Sequence, residues 1–215
     1  MKNKLQMLID LAKANEYLAQ EYLKQHTSDV SKDIQNDFLG VIPDGIEVCD
    51  EDMQGYKSIE LSGVATFFEY IHNLSNTKVV YENTIAMTLH GIDAITQNAN
   101  GIYTIYEIKG TTRELKTPKS YLKRTKHKGR QLSWEWCWMS LVDMAEFPLT
   151  ARVFLELYEP VIHQRVKRKL VIVECSKCQD RSYIGENIHI FDYEELGIKE
   201  KYNLKNPKKM LEELV

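Results

Sequence analysis

Three residues in the middle of the chain, Asp93, Glu107 and Lys109, have the types and spacing to bind a divalent cation and hydrolyse a phosphate ester. Two carboxylates supply the oxygen ligands that Mg²⁺ and Mn²⁺ prefer, and a metal-bound water can serve as the nucleophile. A lysine beside them can orient that water or offset the charge that develops on the phosphate. The alternative is a surface ion pair on an exposed strand, because a glutamate two residues before a lysine is common.

A turn signal between the two carboxylates predicts that they lie side by side. The segment 98–101 (Asn-Ala-Asn-Gly) joins two β-type segments. If its last three residues form the loop, with Gly101 left-handed, Asp93 opposes Glu107. Opposed residues of an antiparallel pair share a face with Cβ atoms about 5 Å apart, and Lys109 joins them through the two-residue period. A loop of another length would turn Asp93 to the opposite face.

The surrounding pattern predicts an α/β fold in the order helix, three strands, helix and further strands. Apolar residues at helical spacing predict helices over 4–25, 58–73 and 132–147. β-Branched and aromatic residues predict strands over 78–81, 87–96, 102–109, 152–158 and 169–174. A turn-prone acidic stretch over 42–55 predicts a boundary, so that 1–55 form a helical N-terminal appendage and 56–215 the main domain.

The composition is that of an ordinary globular chain and excludes several classes of protein. The 215 residues carry a net charge of -3, and no apolar run approaches the roughly 20 residues that span a bilayer, so no membrane partner is expected. Four cysteines are too few for a disulfide scaffold and favour a reducing compartment. Cys175 and Cys178 form one C-x-x-C pair, and a structural zinc site needs two further ligands.

Basic residues are concentrated directly after Lys109. The segment 111–130 contains eight lysines and arginines and a single acid, Glu114, which predicts contacts with a nucleic-acid backbone. These candidate nucleic-acid-binding residues are Arg113, Lys116, Lys119, Lys123, Arg124, Lys126, Lys128 and Arg130. A second basic cluster over 165–169 is typical of a hairpin turn.

The motif Gly91-Ile92-Asp93, followed by Glu107-Ile108-Lys109-Gly110, resembles the signature of the PD-(D/E)XK nuclease superfamily, with Ile92 in place of the usual proline. The segment 129–136 (GRQLSWEW) is similar to a glutamine-bearing helix in one branch of that superfamily. That branch includes nuclease domains of bacterial polymorphic toxins, among them contact-dependent inhibition and type VI effectors. The resemblance covers residues 56–175 and implies a restriction-endonuclease-like mixed β-sheet flanked by helices, with an α-β-β-β-α-β core.

The resemblance also implies a further acid from the helix before the sheet and a role for Gln131. On a helix over 58–73, Glu60 shares its face with apolar residues that should contact the sheet, and Glu69 lies on the opposite side. We therefore expect Glu60 to be the fourth member of the site, with Glu69 and Glu82 as alternatives. Glu60 could instead only occupy the favourable first helical turn. Gln131 is expected to orient the lysine, the water or a phosphate.

The function implied by the resemblance is a Mg²⁺- or Mn²⁺-dependent endonuclease that prefers DNA, of a bacterial toxin or defence type. It would act in a cytoplasm, with delivery from another cell and an immunity protein as open questions. Three alternatives stay open: an RNase that cleaves tRNA on the same fold, a sequence-specific restriction or repair enzyme, and a nuclease-like fold that only binds nucleic acid or a protein partner.

Overall fold

The computed structural model describes residues 4–26, 51–83, 91–179 and 182–202, and the statements below concern these residues. The helices are α1 (Lys4–His26), α2 (Glu51–His72), α3 (Trp134–Ala145) and α4 (Pro148–Ile162). The strands are β1 (Thr77–Glu82), β2 (Ala94–Asn98), β3 (Tyr103–Thr111), β4 (Arg124–Thr125), β5 (Gly129–Arg130), β6 (Lys167–Lys177) and β7 (Tyr183–Asp192).

Five of the strands form one mixed sheet in the order β1-β2-β3-β6-β7. Its neighbouring strands are antiparallel except β3 and β6, which are parallel. A parallel pair needs a long crossover connection, and here the crossover contains the β4–β5 hairpin, α3 and α4. The predicted α/β class is therefore confirmed, with α4 and β7 as additional elements.

Each face of the sheet has its own hydrophobic core. On one face, Phe67 and Ile71 of α2 pack with Ile108 of β3 and with valines of β6. On the other face, Ile105 of β3 packs with a larger cluster from α3, α4 and α1 that includes Trp136. Because successive strand residues point to opposite faces, Glu107 and Lys109 lie on the face of Ile105.

The predicted hairpin between β2 and β3 is confirmed in both its loop and its register. Ala94 pairs with Tyr106 and Gln97 with Tyr103. One residue beyond the first of these pairs, the same register sets Asp93 opposite Glu107. Gly101 has a φ of 76°, and its amide donates to the carbonyl of Asn98 at 2.9 Å. The left-handed glycine thus closes the loop that sets the register.

The strand predicted over 152–158 is wrong, because these residues lie within α4. Their branched and aromatic side chains favour a strand by propensity. Val153, Phe154, Leu157 and Val161 are nevertheless buried at helical spacing, and Pro148 stands in the first helical turn. Burial of that apolar stripe outweighs the local propensity.

The N-terminal organisation differs from the expected one. Helix α2 begins at Glu51, so the predicted boundary after residue 55 falls inside a helix; residues 27–50 lie outside the described part. Helix α1 shares the larger core through Ala12, and Asn15 donates to the carbonyl of Ala145 at 2.9 Å. Of the strand predicted over 87–96, residues 87–90 are not described and β2 starts only at Ala94. None of the described helices has the length and apolarity to cross a membrane.

Candidate active site

Asp93 lies where the β2–β3 ladder ends. The last pair is Ala94 with Tyr106, and the next amide of β3 that faces β2 belongs to Ile108. The Oδ2 of Asp93 accepts a hydrogen bond from this amide at 2.6 Å. The carboxylate therefore replaces the backbone acceptor that a longer β2 would have supplied, and this bond fixes it beside β3.

Glu107 is the most buried acid of the site, with 2% of the side chain exposed. Its Oε1 accepts from the Nζ of Lys109 at 2.6 Å and from the Nε2 of Gln131. Its Oε2 is buried and has no hydrogen-bond partner among the described residues. A buried carboxylate oxygen without a partner is costly, and this atom is available as a ligand.

The electrostatics of the site disfavour two bare carboxylates. Burial raises the pKa of Asp93, and the ammonium of Lys109 only partly offsets this. Burial also raises the pKa of Glu107, and the charge of Asp93 raises it further. Burial alone would lower the pKa of Lys109, but Glu107 and Asp93 outweigh it and raise the pKa. Lys109 therefore stays cationic at neutral pH, and a cation that binds the two acids would compete with the protons that their raised pKa values favour.

Glu60 lies at the exposed side of this group. Its Oε1 is 3.6 Å from the Nζ of Lys109, and 57% of its side chain is exposed. As predicted, Phe67 and Ile71 are buried against the sheet. Glu60 was predicted to share their sheet-facing side, but it lies in contact with solvent. Among the alternative acids, Glu69 is exposed on α2 and Glu82 pairs with His72 at 2.7 Å.

Gln131 links the acids to the basic segment. Its side chain donates to Glu107, and its Oε1 accepts from the amide of Lys123 at 2.8 Å. Its own amide donates to the carbonyl of Lys123 at 3.0 Å. Gln131 was predicted to orient the lysine, the water or a phosphate; its side chain contacts Glu107, the partner of Lys109, and a role toward water or phosphate stays a prediction.

The basic segment is more structured than a simple loop. It contains a 3-10 turn (Pro118–Tyr121) and the β4–β5 hairpin. Lys128 pairs with Asp143 of α3, and the guanidinium of Arg130 donates to the carbonyl of Leu122 at 3.3 Å. The other six cationic residues of the segment are exposed: Arg113, Lys116, Lys119, Lys123, Arg124 and Lys126. These six are the ones best placed to contact a phosphate backbone.

The donor set fits a hard divalent cation. In the described part of the chain, no three His, Cys, Asp or Glu side chains are grouped to hold a metal ion. Mg²⁺ needs only one or two protein carboxylates because it keeps several of its waters. Asp93 and the Oε2 of Glu107, which has no partner among the described residues, meet that requirement, and Glu60 lies beside Lys109 at the exposed side of the group.

The cysteine pair does not form a comparable site. The thiol of Cys175 is buried and donates to the carbonyl of Ile59 at 3.7 Å. The amide of Cys178 donates to the carbonyl of Ser182 at 2.8 Å, which closes the turn between β6 and β7. Both residues therefore have a packing or turn role.

A cluster around Arg168 was missed from the sequence. The basic residues over 165–169 were predicted to form a hairpin turn, but β6 begins at Lys167. Arg168 is only 3% exposed and bonds Glu194, Glu200 and the carbonyl of Leu132. The two-residue period of a strand could have indicated that Arg168 is buried, since Leu170 and Ile172 share its face and are part of the core.

Comparison of the chain with protein-family models, with curated proteins and with solved structures gave no match. The functional argument therefore depends on the geometry of Asp93, Glu107, Lys109 and Gln131.

The raised pKa values of the acids predict a pH-dependent stability. The folded, metal-free protein holds protons that the unfolded chain has already released above about pH 4, the ordinary carboxyl value. Its free energy of unfolding should therefore fall as pH rises from about 4 to the raised pKa values of Asp93 and Glu107 in the folded protein. Asp93→Asn removes one buried charge and should raise the free energy of unfolding by about 1 kcal/mol at pH 8 and by much less at pH 5.

Urea denaturation in EDTA at both pH values measures this difference. Asp192→Asn is the matched control, because Asp192 is a half-exposed aspartate of the same sheet that pairs with Lys169 at 3.4 Å. We expect no pH-dependent gain for this control. An Asp93→Asn protein that is equally destabilised at pH 5 and pH 8 would contradict the repulsion between the buried acids.

Proposed function

We propose that the protein is a Mg²⁺- or Mn²⁺-dependent endonuclease that hydrolyses phosphodiester bonds, with DNA as the preferred substrate. One observation carries the proposal: at the end of the β2–β3 hairpin Asp93 is bonded to the amide of Ile108, next to Glu107, whose Oε2 has no partner among the described residues and whose Oε1 binds Lys109. Buried acids with raised pKa values beside a buried lysine are typical of functional sites. The PD-(D/E)XK-like motif gives the same interpretation.

Each residue of the site has a distinct role in the proposed reaction. Asp93 and Glu107 would hold the cation, which supplies a water of lowered pKa and offsets charge on the phosphate. Lys109, which keeps its proton, donates to the attacking water or to a phosphate oxygen. Hydrolysis forms a bond from the water oxygen to phosphorus and breaks the bond to the leaving oxygen; the attacking water releases one proton to solvent and the leaving oxygen takes one up, so that no net proton is needed. Gln131 keeps the Glu107 carboxylate in place.

The position of the basic segment supports a polyanionic substrate. The backbone of Lys123 is bonded to Gln131, which in turn bonds Glu107. The exposed lysines and arginines that precede and follow Lys123 in the sequence are therefore attached to the site at a point next to Glu107. Such contacts bind the backbone without reading the sequence and make affinity dependent on salt. The same exposed cations would also suit an acidic protein such as an immunity partner, which stays a prediction.

Cleavage assays on both polymers test the proposal. Purified protein is incubated with plasmid DNA and with total RNA, in Mg²⁺, in Mn²⁺ and in EDTA. Asp93→Ala is compared with Asp192→Ala, which removes an aspartate from the same sheet outside the site. We expect cleavage that needs the metal, that is lost in Asp93→Ala and that persists in Asp192→Ala.

The outcomes separate the alternatives. Cleavage of RNA alone would assign the site to an RNase, and discrete DNA fragments would indicate a sequence-specific enzyme. Equal cleavage by Asp93→Ala and the unsubstituted protein would contradict the assigned site. Failure to cut either polymer with either metal would contradict the endonuclease and favour a fold used only for binding.

A further inference from the structure

Leu132, between Gln131 and helix α3, has a left-handed backbone with a φ of 63°. Bulky residues rarely adopt this conformation, and they do so only where surrounding contacts hold them. The side chain of Leu132 is fully buried, and its carbonyl accepts from the Nη1 of Arg168 at 2.9 Å. A hydrogen bond from Arg168 thus holds the backbone conformation that directs Gln131 towards Glu107.

The guanidinium of Arg168 is itself fixed by two aromatic rings and two carboxylates. Its guanidinium carbon lies 3.8 Å from the ring centroid of Trp134 and 4.4 Å from that of Tyr193. Its Nη1 donates to Glu200 at 2.9 Å, and its Nε and Nη2 donate to Glu194 at 3.1 Å and 2.9 Å. All three guanidinium nitrogens therefore donate hydrogen bonds, an arrangement that the single ammonium of a lysine could not reproduce.

Glu200 connects the same cluster to the start of α3. Its Oε2 accepts from the amide of Trp134 at 2.8 Å, so it satisfies a backbone donor in the first turn of the helix. Residues on both sides of Leu132 are therefore fixed: Trp134 by Glu200, and Gln131 by its two backbone-mediated bonds with Lys123.

We propose that Arg168 is a positioning residue of the active site. By holding the carbonyl of Leu132, it fixes the turn from which Gln131 donates to Glu107. Arg168 and Glu107 lie on the same sheet face of neighbouring strands, since Ile105 pairs with Arg168 in the parallel ladder. Buried ion pairs add little net stability but can define one geometry. The expected effect on catalysis depends on the endonuclease function proposed above, whereas the effect on Gln131 does not.

Substitution of Arg168 by lysine tests this role with two readouts. The side-chain amide resonances of Gln131 in ¹⁵N-labelled protein, assigned by their loss in Gln131→Ala, report the bond to Glu107 directly. In Arg168→Lys we expect them to move to the position of a solvent-exposed glutamine. We also expect kcat to fall between about tenfold and a hundredfold, with KM unchanged, as for residues that orient a metal ligand. Arg152→Lys is the matched control, because Arg152 is an exposed arginine paired with Glu156.

A second variant and a double variant keep the test decisive. If Arg168→Lys does not fold, Glu200→Gln loosens the same guanidinium and should shift the same resonances. In a Leu132→Gly background, where the left-handed turn needs no support, Arg168→Lys should have much less effect on both readouts. Unchanged resonances in both folded single variants, or an equal effect in both backgrounds, would overturn the proposal. If the unsubstituted protein cuts neither polymer, only the proposed function fails, and the resonances still decide the role of Arg168.

Discussion

Replacement of Lys109 by methionine is expected to reduce metal-dependent cleavage about a thousandfold, the upper range for loss of one charge-stabilising donor. The Nζ of Lys109 lies 2.6 Å from Glu107 and 3.6 Å from Glu60, and 15% of the side chain is exposed. Methionine keeps the length and the apolar stem but removes the cation. The loss should appear in kcat, because Lys109 is expected to act on the attacking water or on phosphate charge that develops during the reaction.

Lys169→Met provides the control for Lys109→Met. Lys169 is a lysine of the neighbouring strand β6 whose ammonium pairs with Asp192 at 3.4 Å, outside the site. Its cleavage rate should stay within about twofold of the unsubstituted protein, since exposed pairs contribute little. Affinity for Mn²⁺ should not fall in Lys109→Met, because the two carboxylates remain. A Lys109→Met protein that cleaves at the normal rate would exclude the lysine from the chemistry.

Gly110→Ala is expected to destabilise the protein by about 3 kcal/mol, because β3 and α2 meet backbone to backbone at this residue. A Cβ on Gly110 would lie 2.8 Å from the carbonyl carbon of Ile59 and closer still to its oxygen. On the helix side, a Cβ on Gly63 would lie 3.0 Å from the Cα of Gly110. Neither backbone can give way cheaply, and a shift of α2 would also move Glu60 away from Lys109.

Urea denaturation of Gly110→Ala beside Gly197→Ala separates this contact from the general cost of replacing glycine. Gly197 has a φ of 65° and nothing within 4 Å of an added Cβ, so its substitution should cost only the left-handed strain, about 1–2 kcal/mol. If Gly110→Ala were no more destabilising than Gly197→Ala, the close approach of α2 to β3 would not be a determinant of the fold.

The hairpin that joins the acids could be predicted because its determinants are local. The Asn-Ala-Asn-Gly segment restricts the loop, and the length of the loop fixes which residues of β2 and β3 oppose one another. Once the loop has three residues, the opposition of Asp93 and Glu107 follows by counting. The same local logic locates Lys109 on their face.

The parts that could not be predicted depend on tertiary packing. The segment 152–158 has the composition of a strand, and only the buried stripe of α4 against α3 and α1 makes it helical. The bond from Gln131 to Glu107 requires the left-handed turn at Leu132, which Arg168 supports from 36 residues further along the chain. No spacing rule relates residues so distant in sequence. For the same reason, the exposure of Glu60 could not be read from its helical face alone.

The buried acids of the proposed active site should weaken the metal-free protein. Burial raises the pKa of both Asp93 and Glu107, and the charge of Asp93 raises that of Glu107 further. A divalent cation that binds the folded state alone would stabilise it by mass action. The stabilisation that the metal adds, measured as the difference in free energy of unfolding with and without Mn²⁺, is therefore expected to rise with pH together with the metal affinity, since the ligands must be deprotonated to bind.

Titration of the purified protein with Mn²⁺ by isothermal calorimetry is the most direct test of the proposed metal site, with Asp93→Asn and Asp192→Asn measured beside it. We expect the unsubstituted protein and Asp192→Asn to bind Mn²⁺ with the same affinity. Asp93→Asn, which loses a direct ligand, should bind it at least about tenfold more weakly, the lower end of what loss of a merely supporting residue costs. Equal binding by Asp93→Asn, or no binding by the unsubstituted protein, would contradict the proposal that Asp93 and Glu107 form a metal-dependent active site.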